Sequence, residues 1–176
     1  MFNFSCSLNL IFIFFIGCTP NKQDKSNILM TKRENIFTNI LNINTPLTVN
    51  GVEDATGVRL TLNPDAHNTF DVYEGICTNI ECDFSSAEFR HPPKGSSVED
   101  GILILSVNTN KHVFTKKDII EEFGNPELSP PNPRQRNTPL IYLKYSYNGG
   151  KINFGFPFEK NRKEELQKIV LDYTGK

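Results

Sequence analysis

The residue types and motifs that usually announce chemistry are scarce in this sequence. Its three histidines, His67, His91 and His112, are scattered, and metal centres need ligands at short, repeated spacing. There is no Gly-x-Ser-x-Gly elbow, no His-Glu-x-x-His, no phosphate-cradling glycine loop and no Cys-x-x-Cys, so the common signatures of hydrolysis, metalloproteolysis, nucleotide binding and thiol redox work are missing. Asp65 and His67 lie near each other in sequence beside a turn, but no nucleophile can be assigned to them, and the chain reads as a non-enzyme without a cofactor. Excess positive charge is also lacking. The net charge of −1 gives no electrostatic footprint for a nucleic-acid partner. That charge is uneven, however. Residues 46–100 hold ten acids against three bases, and residues 101–176 hold eight acids against twelve bases, so the acidic stretch either faces a basic partner or is a solvated loop face.

No apolar run is long enough to span a bilayer. The longest, from Leu8 to Ile16 and broken only at Asn9, has the length of an export-signal core. It ends in Phe15-Ile16-Gly17-Cys18, which resembles the lipobox of bacterial lipoproteins, cut before a cysteine that is then acylated. By that resemblance residues 1–17 are a signal peptide and Cys18 is the lipid-bearing residue. Phe15 stands where Leu is usual, and no Lys or Arg precedes the run; an ordinary secretory signal or an uncleaved short anchor are the alternatives. Several acyl chains would hold the chain stably on a membrane, which places it in the bacterial envelope facing the periplasm, with the outer membrane favoured. Cys6 falls in the removed segment, leaving Cys77 and Cys82 as an even remainder that an exported chain is expected to pair.

Residues 18–30 are mostly polar and read as a tether. Thr31 and Glu34 form a capping box ahead of an apolar stripe, Ile36, Phe37, Ile40 and Leu41, which Asn44-Thr45-Pro46 ends. Residues 47–49, 58–62 and 69–73 read as short strands, and Phe84 and Phe89 as core. A loop at residues 91–97 suggests a boundary near residue 100, giving an N-terminal α+β unit at 31–100 and a second at 101–176. The second opens with an apolar strand at 101–107. Thr115 then caps a helix of about two turns, with Asp118 as the reciprocal partner, Phe114 and Ile119 as a hydrophobic staple, an apolar face of Ile119, Ile120 and Phe123, and a stop at Gly124. Residues 128–139 are proline-rich and read as a stiff loop carrying Arg134 and Arg136. Alternation from Ile141 to Tyr147, an Asn148-Gly149-Gly150 turn and alternation from Ile152 to Phe158 predict a hairpin. The tail fits either a helix or a strand; a strand at 168–173 is preferred because it covers the hairpin's open edge. The fold class expected is α+β, short helices on an antiparallel sheet. The matching helix starts, Thr31-Lys-Arg-Glu34 and Thr115-Lys-Lys-Asp118, point to two tandem helix-plus-sheet units or to capping chemistry that arose twice.

The Thr-capped helix closed by Phe123-Gly124-Asn125-Pro126, the paired aromatic strands and the final Lys168 to Tyr173 segment together resemble the module of BamE/SmpA-type outer-membrane lipoproteins and β-lactamase-inhibitor-like proteins. The resemblance covers about the C-terminal 75 residues and implies a non-catalytic surface that binds another protein. With the anchor, it leads to the expectation of an immunity or inhibitor lipoprotein neutralising a toxic effector enzyme; the alternative is an envelope-assembly accessory. Expected contact residues are Glu81 and Asp83 beside the cysteines, Arg134 and Arg136 in the proline loop, and Tyr142 and Lys144 on the sheet face opposite Ile141 and Leu143.

Overall fold

The computed structural model describes residues 36–66, 69–97, 100–129, 139–158 and 164–174. Cys18, the Thr31–Glu34 capping box, Arg134 and Arg136 lie outside these residues.

The described chain is a two-layer α+β fold. Its first helix, α1 (residues 36–41), lays Ile36, Phe37 and Ile40 into the core, as the stripe predicts. The segment expected to begin as a strand at 47–49 is instead the start of a second helix, α2 (Val49–Thr56), and this corrects the sequence reading. Thr48 caps it by accepting from the Gly51 N–H, Gly57 closes it at φ 70°, and Val52 and Thr56 are the buried residues, one turn apart. The poor helix former Gly51 and the turn-like Asn50-Gly51 pair mask those signals in the sequence.

Strand β1 is only Thr61–Leu62, because the backbone before it is held elsewhere. The Leu60 N–H is bonded to Glu53 Oε1 at 2.7 Å, and at Gly75 an added Cβ would meet the Arg59 carbonyl at 2.0 Å. Strands β2 (Asp71–Ile76), β3 (Phe84–His91) and β4 (Ile102–Val107) follow. Helix α3 (Lys116–Phe123) has the predicted Thr115–Asp118 capping box. Phe114 and Ile119 are both buried, but Ile120 is 38% exposed, which corrects its place on the apolar face. Two turns can aim only Ile119 and Phe123, four apart, at one surface. Gly124 stops the helix at φ 81° and sends its N–H to the Ile120 carbonyl, and the Tyr145 hydroxyl donates to the Gly124 carbonyl at 3.1 Å.

The stretch read as loop from residue 128 begins in fact as strand β5 (Glu127–Ser129). Strands β6 (Leu140–Tyr147) and β7 (Gly150–Pro157) form the predicted hairpin, with positive φ at both Asn148 (45°) and Gly149 (76°), the geometry whose twist matches paired strands. The tail is strand β8 (Lys168–Asp172).

The sheet is antiparallel throughout, ordered β1-β2-β3-β4-β8-β7-β6-β5. The described strands form two four-stranded meanders; β4 closes the first, where the sequence reading set the strand at 101–107 at the opening of the second, and the last strand of each pairs with the last strand of the other, centred on Ile104 opposite Val170. The strand order therefore reads the same from either edge, as a pseudo-twofold arrangement of two four-stranded units, the first preceded by α1 and α2 and the second by α3. The core is shared by both. Phe37 of α1 lies against Phe114, Phe123 of α3 and Phe154 of β7 with ring centroids 5.0, 5.6 and 5.8 Å apart. No described helix is long and apolar enough to cross a membrane.

Candidate protein-binding surface

Helices α1, α2 and α3 contribute their buried residues to the same core cluster as Phe89, Leu103, Leu105, Ile169, Leu171, Ile152 and Phe154. Alternation along the strands sends their neighbours to the other face of the sheet. Strand pairing sets that open face in rows. One row runs Glu74, Glu88, Ile104, Val170, Asn153, Lys144, Glu127; the next runs Ile76, Ser86, Ser106, Lys168, Gly155, Tyr142, Ser129. Tyr142 and Lys144 thus sit on the face opposite Leu143, as expected, and with Lys151, Asn153, Val170 and Asp172 they line a depression of about 360 Å³. Tyr142 lies across Gly155, where a Cβ would come within 2.8 Å of its ring, and burial raises its hydroxyl above the ordinary tyrosine value.

The second surface is the loop joining β2 and β3, residues 77–83. Cys77 and Cys82 stand at disulfide distance, Cα atoms 6.4 Å apart. Inside the loop, the Asn79 side chain accepts the Glu81 N–H at 3.0 Å and the Cys82 N–H donates to the Asn79 carbonyl at 3.1 Å. The loop after β4 then grips it from outside. Asn108 Nδ2 donates to the Cys82 carbonyl (2.9 Å) and the Ile80 carbonyl (3.3 Å), and the Asn108 N–H donates to the Asp83 carbonyl at 2.9 Å. Lys111 Nζ reaches the Glu81 carbonyl. Asp83 Oδ1 receives both Lys111 Nζ and His112 Nε2 at 2.7 Å. Burial pushes the Asp83 carboxyl up, yet the hydrogen bonds from Lys111 and His112 and the Lys111 charge outweigh it, and the group ends below the ordinary aspartate value.

Of the two contacts expected here, these bonds reassign one. Glu81 is exposed at the loop tip, as a contact residue must be. Asp83 is not a free acid but the anchor that ties two loops together. His112, with 7% of its side chain exposed and its ring stacked on Phe114 at 5.6 Å, belongs to the same latch. Asn108, Lys111 and His112 could not be found from the sequence, since nothing in their spacing marks partners some thirty positions away. Of the acid–base pair considered at the outset, His67 lies outside the described residues and Asp65 is an exposed turn residue whose N–H donates to Asn63 Oδ1 at 3.1 Å. Among the described residues, no group of three or more His, Cys, Asp or Glu side chains converges as a metal site would require.

The latch holds outward a mixed tip, Thr78, Asn79, Ile80 and Glu81, with large aliphatic side chains in and around it. Ile80 is 71% exposed, Ile76 at the loop's entry 78%, and Val113, next to His112, 55%. No protein-family model, curated protein or solved structure matches the chain.

Proposed function

We propose that this chain is a membrane-anchored lipoprotein facing the periplasm, acylated at Cys18, whose folded part is a non-catalytic protein-binding module, and that it acts as an immunity or inhibitor protein against a toxic effector enzyme. The observation that carries this reading is the stapled loop at residues 77–83. A disulfide and a set of polar ties to Asn108, Lys111 and His112 fix its backbone, while Ile80 is left in solvent beside the acid Glu81. Exposing a large aliphatic side chain forgoes about 1.5–3 kcal/mol of burial, and a partner recovers it on binding. Because the loop is already ordered, association loses little conformational entropy, the condition under which a small contact binds tightly. Ile80 is the kind of aliphatic anchor that fills a partner's pocket. The resemblance of the C-terminal part to BamE/SmpA-type and β-lactamase-inhibitor-like modules agrees with a binding role.

The test is genetic. Cells lacking the protein should be poisoned only where the cognate toxic enzyme is present, and Ile80→Asp, made at wild-type level, should fail to protect them. Cells that sicken in the absence of any toxin would instead make this an envelope-assembly accessory. Mass spectrometry of the mature chain should find Cys18 acylated; an unmodified residue there removes the anchor from the proposal.

A further inference from the structure

We infer that the open face of the sheet is a self-association surface, occupied by the same face of a second copy about a twofold axis lying parallel to the strands over the β4–β8 seam. The inference uses the sheet and not the loop, so it stands apart from the function proposed above.

Two independent observations lead to it. The first is the sequence of the central strands. Ile102-Leu103-Ile104-Leu105 in β4 and Ile169-Val170-Leu171 in β8 are continuous apolar runs, the pattern of strands covered on both faces, where a one-sided antiparallel strand alternates with polar residues. Leu103, Leu105, Ile169 and Leu171 fill the core. Ile102, Ile104 and Val170 point the other way and remain half-buried, so the middle of the open face is apolar.

The second is charge placement. An axis parallel to the strands over the seam reverses the strand order between copies, and the order reads alike from both edges. Strand β2 of one copy then faces β6 of the other, β3 faces β7, and β4 faces β8, each row of side chains meeting itself. Applied to the observed register, this sets Glu74 against Lys144, Ile104 against Val170 and Ile76 against Tyr142; the small residues Ser86 and Gly155 also face one another. One pair of opposite charges, Glu74 with Lys144, meets toward each edge and Ile104 meets Val170 at the centre, flanked by Ser106 facing Lys168 and Ile102 facing Asp172. One facing brings like charges together, Arg90 with Lys151. Arg90 is paired within its own chain, Glu88 Oε1 lying 2.6 Å from Arg90 Nε, and Lys151 has the acid Asp172 as its register neighbour on β8. Two sheets stacked about 10 Å apart with strands nearly aligned is a standard packing for antiparallel sheets, and a surface that matches itself under a twofold closes as a dimer rather than growing into a filament.

Charge exchange tests this without any other partner. The purified full chain should sediment as a dimer at about 100 µM, corresponding to an association at least in the micromolar range. Glu74→Lys and Lys144→Glu should each weaken the dimer by ~10-fold or more, and the double exchange E74K/K144E should recover most of that loss, as expected for a direct ion pair read by a double-mutant cycle. Both positions are on the surface, so circular dichroism and melting of each variant should match wild type. Ile104→Asp should abolish the dimer. A wild-type chain that is monomeric at that concentration overturns the inference. So does a dimer indifferent to the single reversals, or one that the double exchange does not restore although every variant is folded.

Discussion

Phe154 is the residue on which the two halves of the molecule meet. It is fully buried on β7, touching the rings of Phe37 from α1, Phe123 from α3 at 4.8 Å and Tyr145 at 5.9 Å. Its removal opens a cavity that both helices line. Phe154→Ala should therefore cost about 3–5 kcal/mol, measured as a lowered midpoint in urea at unchanged slope. Asp83 gives a pH signature. Its carboxyl is held below the ordinary value by Lys111 and His112 against an opposing burial effect, so its contribution to holding the loop is present above the ordinary aspartate pKa of about 3.9 and is lost as pH falls through the depressed folded-state value. The protection of amides in residues 77–83, taken relative to the intrinsic exchange rate at each pH and followed downward from neutral, should fall in that acid window in wild type. Asp83→Asn should show low protection already at neutral pH and a flatter dependence of protection on pH; identical protection profiles would mean that Asp83 does not latch the loop.

At the scale of elements, the loop and the sheet answer to different forces. Where strands alternate, as β7 does, the sheet's register is set by a buried face: a one-residue slip would turn Ile152, Phe154 and Phe156 away from the core. The loop has no such core. It is fixed by covalent and polar links to the segment after β4, so those links are what a variant can remove locally. Changing Cys77 and Cys82 together to Ser should cost about 2 kcal/mol, the low end for disulfides because the closed loop is short. Hydrogen exchange should rise across 77–83 and leave β3, β4, β7 and β8 unchanged. Loss of protection spreading into those strands would show that the disulfide supports the fold and not only the loop. The same experiment bears on function, since a loosened loop that still protects cells would deny the importance of preorganisation.

For the whole molecule, the pseudo-twofold order makes the two units interdependent. The outer edge of β4 is paired by β8 along five residue pairs, and the ring of α1 packs on side chains of the second unit. A chain ending at Val107 would expose that β4 edge and leave Phe37 without Phe114, Phe123 and Phe154. It should fail to give a cooperative melt and should aggregate, because an open hydrophobic edge strand recruits others. The intact chain should unfold in a single transition by both circular dichroism and tyrosine fluorescence. Two separated transitions would mean that the units fold independently despite the shared sheet.

Local signals in the sequence determined the elements whose stability is local. Thr115, Asp118 and Gly124 specify α3; Asn148-Gly149 with alternating neighbours specifies the β6–β7 hairpin; the proximity of Cys77 and Cys82 specifies the stapled loop. Each is a short-range interaction among residues that are neighbours in the chain. What came only with the tertiary structure involves long separations. Residues 49–56 form a helix because Val52 and Thr56 gain burial there. β1 is short because Glu53 takes the Leu60 N–H. Asp83 meets Lys111 and His112 only after β3 and β4 have paired. The meeting of β4 with β8, sixty-odd positions apart, makes one sheet of two units and leaves a face with Ile102, Ile104 and Val170 at its middle and charges of both signs around them. No periodicity records which strand edges will join, since pairing is decided by backbone hydrogen bonds that every residue can offer and by a core that exists only once the halves are together.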